Sequence, residues 1–312
     1  MRILDRDATR EALDFARLIP ALRRQFSDGC SVPPRHHHVV PKMSGGQDGV
    51  LLLMPAWIPG RYMGVKIVAV APGNSRQKLP AVNSTYLLSD GETGLPLLFL
   101  DGNQVTSRRT AAASALAADY LARRDAERLL IIGSGQVAAE IAPAYREVRK
   151  IREVRIWNHR FEGALELASK LTAQGFLAQA VENLEEAVRS SEMICSASLA
   201  AQPLIKGEWL RPGQHVDLIG SFTPDMREAD DDVMRRGRLF VDTRLALHEA
   251  GDLVHPLAGG IIGPTDVLAD LAELSRGSHP GRTSETEITV FKSVGIALED
   301  LAAAVLAYEG AA

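Results

Sequence analysis

Short apolar runs separated by turn residues characterise the chain up to about residue 105. The runs cover Gly49–Pro55, Gly64–Val70, Ser84–Leu88 and Leu95–Leu100. The segment Ser89–Gly94, which contains an Asp-Gly pair, separates the last two runs, and this arrangement indicates a β-hairpin. We therefore expect an antiparallel sheet in this part rather than the beginning of a parallel one.

The pattern changes near Thr106. Residues Thr110–Arg124 are rich in alanine and leucine and contain neither glycine nor proline, which predicts a long helix. Beyond them short apolar runs alternate with helical stretches, as is typical of a parallel sheet with crossover helices. The expected strands are Arg128–Ile132, Val154–Trp157, Met193–Ser196, His215–Ile219 and Arg238–Val241, and the expected helices are Val137–Arg149, Glu162–Gln174, Leu184–Ser190 and a last one at Phe291–Tyr308.

A glycine-rich turn joins the first of these strands to its helix. Gly133, Gly135 and Ala138 match the dinucleotide-binding fingerprint, in which alanine is a permitted third member. Gly133 allows the tight turn, and Gly135 lets the backbone approach a pyrophosphate at the helix N-terminus. The alternative is a turn that merely ends a strand, but the strand before and the helix after favour a Rossmann dinucleotide site. The cofactor-binding candidates here are Gly133, Ser134, Gly135, Gln136 and Val137.

The end of the second strand predicts which nucleotide is preferred. A site for NAD(H) needs an acidic residue there to accept from the ribose hydroxyls. This chain has Asn158, His159 and Arg160 instead. Arg160 is suited to pair with a 2′-phosphate, although it is also a candidate for an ordinary solvated residue. NADP(H) is therefore favoured, with NAD(H) as the alternative.

Composition narrows the class of protein. The chain has 312 residues, of which 46% are hydrophobic and 24% charged, with a net charge of −4. These values exclude a disordered chain, and they give no positive field for a nucleic-acid backbone. No apolar run approaches the roughly 20 residues needed to cross a bilayer, and the N-terminus lacks the apolar stretch of a signal peptide. We expect a cytoplasmic enzyme without nucleic-acid or membrane partners.

Three cations of the first part occupy informative positions. Arg35 follows Pro33-Pro34, Lys66 lies within an apolar strand, and Arg109 precedes the predicted helix, whose free amides would favour an anion. Together they suit an anionic substrate such as a carboxylate, which arginine binds bidentately and lysine binds as a point charge. Structural salt bridges to nearby acids are the alternative.

Several short segments of the chain resemble a known protein family. Several segments occur in the same order as in the ornithine cyclodeaminase/mu-crystallin family and resemble it over nearly the whole chain. They are Pro34-Arg35, Met54-Pro55, Gly64-Val65-Lys66, Thr106–Ala117, Gly133–Gln136 and Phe291–Leu301.

The change of pattern along the chain predicts two domains with a boundary inside or just after the alanine-rich helix, and the resemblance implies an α/β architecture for them. Residues 1–118, completed by a C-terminal helix at 291–312, would bind the substrate and form a homodimer, and residues 119–290 would form the Rossmann domain. It also implies that Arg35, Lys66 and Arg109 grip the substrate carboxylate and that Thr110 helps to hold the cofactor phosphates.

Two departures from the family pattern matter for the reaction. Cyclodeaminases have a catalytic Asp where this chain has Phe222, and a Glu where it has Leu52. Asp225 falls three positions late and is interpreted as part of a loop or a helix cap. The segment around Phe222 resembles members of the family that reduce cyclic ketimines, such as Δ1-pyrroline-2-carboxylate reductases.

The resulting prediction is a reductase that delivers hydride from NADPH to a C=N bond next to a carboxylate. Lys66 is expected to donate the proton or to help hold the carboxylate, with its pKa lowered by the neighbouring cations. The alternatives are ornithine cyclodeamination, alanine-dehydrogenase-type chemistry and, from another class, a mu-crystallin-like NADPH-dependent binding protein.

The histidine run, Cys195 and one acidic run are not expected to take part in a reaction or to bind a metal. The run His36-His37-His38 is expected to be a loop of ordinary histidines, because adjacent extended residues point to opposite faces. No acidic cluster of metal spacing accompanies it, so no metal site is predicted. Cys195, in an apolar strand, is expected to be a buried inert thiol, and Asp230–Asp232 a solvated helix start.

Overall fold

The computed structural model describes residues 1–77 and 79–310. The chain divides into two compact units: unit 1 comprises residues 1–109 and 296–312, and unit 2 comprises residues 110–295. The predicted domain bounds of 118/119 and 290/291 differ from this division at both ends, and the roles expected of the two domains stay a prediction. Residues 311 and 312 of the predicted last helix lie outside the described residues.

Unit 1 is built on a six-stranded sheet. The strand order is β1-β6-β5-β4-β3-β2, antiparallel throughout except where β1 runs parallel to β6. This arrangement confirms the predicted antiparallel sheet. The strands are β1 (Arg2–Leu4), β2 (His36–Ser44), β3 (Gln47–Ile58), β4 (Tyr62–Val70), β5 (Val82–Asp90) and β6 (Pro96–Asp101).

Helices cover one face of this sheet. Helices α1 (Arg6–Ala12) and α2 (Phe15–Asp28) come early in the chain, and α11 (Ala297–Glu309) packs on β3, β4, β5 and β6 and against α2. The strands alternate accordingly. Lys66 and Val68 of β4 are buried beneath α11, whereas Met63 and Ile67 on the other face are 40% and 39% exposed.

The long alanine-rich helix begins earlier than predicted. Helix α3 covers Gly102–Leu121, and the Asp101 carboxylate accepts from the backbone N–H of Gln104 at its start. The expectation that Arg109 sits at free helix amides is therefore wrong, because Arg109 lies seven residues inside α3. Gly102 and the polar residues after it carry no apolar periodicity, so the sequence pattern hides this first part of the helix.

Unit 2 contains an eight-stranded sheet in which every pair is parallel. The strand order is β13-β12-β14-β11-β10-β7-β8-β9. The order reverses between β7 and β10, which is the switch point of a doubly wound, Rossmann-type sheet. The strands are β7 (Arg128–Ile132), β8 (Glu153–Trp157), β9 (Ala178–Ala180), β10 (Met193–Ser196), β11 (His215–Leu218), β12 (Arg238–Val241), β13 (Val267–Asp270) and β14 (Thr289–Lys292).

The helices of unit 2 connect these strands. They are α4 (Ala138–Tyr145), α5 (Phe161–Ala173), α6 (Leu184–Ser190), α7 (Asp231–Arg236), α8 (Ala246–Glu249), α9 (Gly251–Ala258) and α10 (Leu271–Ser275). All five strands predicted for this part are present, and each agrees with its predicted bounds to within one residue. Asp230 caps α7 by accepting from the backbone N–H of Val233, as expected for the acidic run. Within the described part of the chain, no helix has the length and hydropathy needed to cross a membrane.

The predicted last helix is wrong in its first part. Residues Thr289–Lys292 form β14, an interior strand of the parallel sheet, a loop follows, and the helix begins only at Ala297. The strand is buried on both faces between β11 and β12, so it shows no alternation of polar and apolar residues. A short apolar run of this kind cannot be distinguished from a buried helix by periodicity alone.

Candidate active site

A buried ion-pair cluster lies in unit 1, where α3 and α11 meet strand β4. The Lys66 Nζ atom is 2.9 and 2.8 Å from the two carboxylate oxygens of Asp300. Arg109 binds the same acid, with Nε 3.0 Å from Oδ1, and its Nη1 is 2.5 Å from Glu299 Oε2. The cluster thus holds two cations and two anions, all nearly inaccessible to solvent.

Burial changes the protonation of this cluster. Burial lowers the pKa of Lys66 to about 8; the Asp300 carboxylate opposes this shift and the Arg109 cation adds to it. The predicted direction for Lys66 is confirmed, but burial rather than repulsion between cations is the largest cause. Burial alone would raise the pKa of Asp300, but Lys66 and Arg109 outweigh it and hold that pKa below its usual value.

Two of the three predicted cations share this cluster. Arg35 lies immediately before β2, at the edge of the sheet, and is half-buried, so its role stays a prediction. The other two are bound by Asp300 and Glu299, two acids that the sequence pattern does not predict to be part of the site. The available signal was a pair of adjacent acids within an otherwise apolar helix.

Tyr86 adds an unpaired hydroxyl to the same face of the sheet. It lies directly opposite Lys66 in the β4–β5 register and is fully buried. Among the described residues its hydroxyl has no hydrogen-bond partner, and the glycine at position 64 leaves the space that the phenol ring occupies. A buried unpaired hydroxyl is uncommon and calls for an explanation beyond packing.

Leu52 lies on the face of the sheet that carries Lys66. Its neighbour two residues on, Met54, is directly opposite Lys66, and Leu52 itself is opposite Val68. Because side chains alternate along a strand, Leu52, Met54 and Lys66 point to the same side. On β3, the side chains that share this face with Lys66 are therefore apolar. Leu52 stands at the position where the resemblance would place an acid in a cyclodeaminase.

The glycine turn of unit 2 is closely packed at Gly133 and open at Gly135. Gly133 has φ +110°, and a Cβ there would lie 2.7 Å from the carbonyl oxygen of Ala197, so both the turn and the approach of β10 require glycine. Gly135 is exposed, and a Cβ there would meet no atom within 4 Å. Gln136 and Val137 complete the turn before α4 begins at Ala138, which directs the first amides of that helix towards this edge of the sheet.

The predicted ribose contacts lie beside this turn. Strands β7 and β8 pair with Ile132 opposite Trp157, so Gly133 and Asn158 follow neighbouring strand ends. Asn158 donates to the Arg160 carbonyl at 2.9 Å, which shapes the turn into α5. His159 and Arg160 are exposed, and Thr110 is buried on α3 within the same unit.

The space beside the turn is kept open by a third glycine. A Cβ at Gly163 would lie 2.6 Å from Ser134 Oγ and 2.8 Å from Asn158 Nδ2. These two polar side chains therefore approach each other across the first turn of α5. The structure brings together the predicted cofactor residues from 133 to 137 and from 158 to 160.

A buried glutamate fixes the loop that carries Phe222. Glu228 accepts from the backbone N–H groups of Gly220 at 2.7 Å, Ser221 at 3.0 Å and Ser198 at 2.9 Å. It therefore ties the carboxyl ends of β10 and β11 together. Phe222 follows this anchored segment and is 41% exposed, while Asp225 lies in an exposed turn, as predicted.

A second buried polar cluster lies under the parallel sheet. Asp217 Oδ2 accepts from the Tyr145 hydroxyl at 2.7 Å and from the Ser114 hydroxyl, and Cys195 Sγ is 3.7 Å away. Burial raises the pKa of Asp217 to about 6 and that of Cys195 well above its usual value. Cys195 is thus a protonated, buried thiol, in agreement with its predicted inertness.

The histidine run differs from its prediction. Residues 36–38 belong to strand β2, where His36 pairs with Leu53 and His38 with Leu51, rather than to a loop. Backbone pairing with β3 forms this strand at the sheet edge without an alternating apolar pattern. Within the described residues, no group of His, Cys, Asp or Glu side chains is arranged to hold a metal ion.

Comparison with known proteins identifies the class. The sequence matches the ornithine cyclodeaminase/mu-crystallin family over residues 7–312, and the chain belongs to this family. It is 42% identical over 275 residues to a Δ1-pyrroline-2-carboxylate reductase of Paracoccus denitrificans, covering 86% of this chain and 87% of the relative.

Two solved structures share the whole fold. One is Δ1-pyrroline-2-carboxylate reductase of Thermococcus litoralis in complex with NADH and L-proline, with a TM-score of 0.93, 34% identity and coverage of 100% of this chain and 97% of that one. The other is an archaeal alanine dehydrogenase dimer with bound NAD, with a TM-score of 0.91, 32% identity and coverage of 99% and 95%.

Proposed function

We propose that the protein is an NAD(P)H-dependent reductase of cyclic ketimine carboxylates, which converts Δ1-pyrroline-2-carboxylate or its six-membered homologue into the cyclic amino acid. The buried pair of Lys66 and Arg109 is the observation that carries this proposal. Two cations held side by side on one buried carboxylate suit one substrate carboxylate. The relatives named as Δ1-pyrroline-2-carboxylate reductases support the same substrate class.

The substrate charges also fit the cluster. A protonated ketimine carboxylate carries one positive and one negative charge, so it adds no net charge to a cluster that is already balanced. Arg109 and Lys66 would hold the carboxylate, with Arg35 as the third cation. An unpaired charge in this setting would cost several kcal/mol.

Lys66 would control the proton in this reaction. A bound nicotinamide supplies the hydride that reduces the C=N carbon. Hydride addition requires a protonated nitrogen, and a lysine with a pKa of about 8 can hold a proton at neutral pH and release it to a neighbouring base. The ammonium form is lost as the pH rises through about 8, so activity that depends on it should fall there.

The cofactor preference rests on the end of β8. Asn158, His159 and Arg160 place no carboxylate at the ribose, and the Arg160 guanidinium is exposed and makes no ion pair among the described residues. A carboxylate would repel a 2′-phosphate, whereas a guanidinium binds one through charge-assisted hydrogen bonds. We therefore propose NADPH as the preferred reductant, with NADH as a weaker alternative.

Leu52 and Phe222 oppose ornithine cyclodeamination. Ornithine carries a second ammonium, which requires a carboxylate in a dry site. Leu52, which lies on the same face of the unit 1 sheet as Lys66, offers no such carboxylate and suits the methylenes of a cyclic ketimine, and Phe222 is likewise apolar. We propose that ornithine is not a substrate, because both positions lack the acid that the family's cyclodeaminases have.

The uncovered face of the unit 1 sheet favours a homodimer. Trp57, Met63 and Ile67 are each about two-fifths exposed on neighbouring strands β3 and β4, and apolar side chains side by side in this way mark an interaction surface. The related archaeal alanine dehydrogenase is a dimer. We propose that two copies of this chain associate through this face.

Alanine-dehydrogenase chemistry is a second candidate, because the alanine dehydrogenase resembles this chain over its whole length. That reaction also reduces a C=N bond beside a carboxylate, but in an open-chain imine formed from pyruvate and ammonia. The two candidates are distinguished by whether the protein reduces cyclic ketimines or the open-chain imine. Binding of NADPH and a ligand without turnover would instead indicate a mu-crystallin-like binding protein.

Initial rates of NADPH and NADH oxidation test the proposal. The substrates are pyrroline-2-carboxylate, piperideine-2-carboxylate and pyruvate with ammonia. A separate assay measures the reduction of NAD in the presence of ornithine. We expect the two cyclic ketimines to be reduced, and Lys66→Met to abolish this activity while the exposed-lysine control Lys170→Met retains it. Efficient ornithine deamination, or full activity of Lys66→Met, would contradict the proposal.

A further inference from the structure

We propose that Asp300 is a positioning residue, which orients the Lys66 ammonium and the Arg109 guanidinium towards one substrate carboxylate. This inference rests on the proposed reductase function, and it concerns a residue that does not itself contact the reacting atoms. Its basis is the geometry of one shared oxygen. Asp300 Oδ1 binds both Lys66 Nζ, at 2.9 Å, and Arg109 Nε, at 3.0 Å.

The shared oxygen places the two cations next to each other. They come from different elements, strand β4 and helix α3, and no backbone pairing between these elements sets their separation. The Asp300 carboxylate, from a third element, therefore determines how close the two nitrogen atoms lie. A lysine has three N–H donors, and the described residues give Lys66 a single carboxylate partner, so donor capacity remains for a ligand.

Fold stability alone does not account for the cluster. Helix α11, which packs on the sheet and on α2, already buries many apolar side chains, including Leu298, Leu301 and Ala304. Replacing a buried ion pair by apolar residues of similar volume is often neutral or stabilising, because removing charges from water costs as much as the attraction returns. A fully buried pair of acids facing a pair of cations therefore points to a task other than holding the helix.

The charged groups around Lys66 make its pKa a measure of the role of Asp300. Asp300 and Glu299 face it from α11, Arg109 faces it from α3, and Tyr86 lies opposite it on β5. Burial and Arg109 favour the neutral amine, whereas Asp300 and, less strongly, Glu299 favour the ammonium. Removing the Asp300 charge should therefore lower the pKa of Lys66 and convert it to the neutral amine near pH 7.

Nuclear magnetic resonance of the full-length protein labelled with 13C-lysine tests the inference directly. The Lys66 Cε signal, assigned by its loss in Lys66→Met, is followed through a pH titration in wild type, Asp300→Asn and Glu299→Gln. Asp300→Asn should move the midpoint down by roughly one pH unit or more, and Glu299→Gln should move it less. An unchanged midpoint in Asp300→Asn would overturn the inference.

Kinetics separate positioning from a merely structural role. In Asp300→Asn the alkaline limb of the kcat/KM profile should shift to lower pH by the same amount as the NMR midpoint, and KM for the ketimine should rise. Asp300→Glu, which keeps the charge but changes its reach, should keep the Lys66 midpoint within the range of wild type and still lose at least tenfold in kcat/KM. Wild-type kcat/KM in Asp300→Glu would overturn the inference. A wild-type protein inactive on all ketimines would reject the proposed function, while the NMR titration would still decide the role of Asp300.

Discussion

Two glycines of the same turn should respond differently to one added methyl group. Gly133 has φ +110°, and its Cβ would lie 2.7 Å from the Ala197 carbonyl oxygen, whereas Gly135 has no atom within 4 Å of a Cβ position. We therefore predict that Gly133→Ala damages the fold and that Gly135→Ala damages only cofactor binding. Each variant is the control for the other.

The magnitudes follow from the geometry. At Gly133 the left-handed backbone costs about 1–3 kcal/mol and the close carbonyl adds about 1–3 kcal/mol, so the free energy of unfolding should fall by about 2–6 kcal/mol. Gly135→Ala should leave that free energy unchanged or raise it by up to about 1 kcal/mol, because alanine restricts the unfolded chain. A methyl where the pyrophosphate approaches should displace a charge-assisted hydrogen bond, which is worth about 1.5–3 kcal/mol or roughly 10- to 150-fold in Kd.

Urea denaturation and NADPH fluorescence titration measure these two effects separately. Gly135→Ala should unfold at or slightly above the wild-type urea concentration and bind NADPH at least tenfold more weakly. Wild-type NADPH affinity in a folded Gly135→Ala protein would refute the assignment of this turn to the cofactor phosphates. Wild-type stability of Gly133→Ala would refute the account of the turn itself.

Three other perturbations test separate parts of the account. Arg160→Ala should reduce the preference for NADPH over NADH by about 1–3 kcal/mol, and equal Kd values for both cofactors in wild type would reject the assignment. Asp217 has its pKa raised to about 6 by burial, above the roughly 3.9 of an unfolded chain, so the stability that its protonated form contributes is lost as the pH rises from about 4 through 6. Asp217→Asn should therefore gain up to about 3 kcal/mol over wild type between pH 4 and pH 7 in urea denaturation, and a constant difference would contradict this. Ile67→Lys, on the uncovered face of β4, should convert a dimer into a monomer by light scattering, and a wild-type monomer would remove the proposed interface.

The parallel sheet and its glycine turn could be predicted because their signals are local. Strands β7, β10 and β12 have the predicted bounds, and the turn from Gly133 to Val137 is recognisable from the strand and helix on either side. Strand β14 could not be predicted in the same way. All four of its residues are buried and it lies inside the sheet, so only the strands beside it show that it is not a helix.

The cation cluster could be predicted only in part. Lys66 is conspicuous as a charge within an apolar strand, but its partner lies 234 positions further along the chain. No local pattern connects Lys66 to Asp300, because the contact depends on where α11 packs on the sheet. The prediction that Arg109 lies at the helix start is wrong for a related reason, because the start of α3 is set by the Asp101 cap rather than by apolar periodicity.

Transfer of deuterium from the cofactor to the product tests the central claim most directly. The protein is incubated with pyrroline-2-carboxylate and NADPH deuterated at the transferable position of nicotinamide C4, and the proline formed is analysed by mass spectrometry and NMR. The account predicts proline with one deuterium on the carbon that bears the carboxylate. Proline without deuterium at that carbon, or no proline while ornithine is deaminated with NAD, would contradict it.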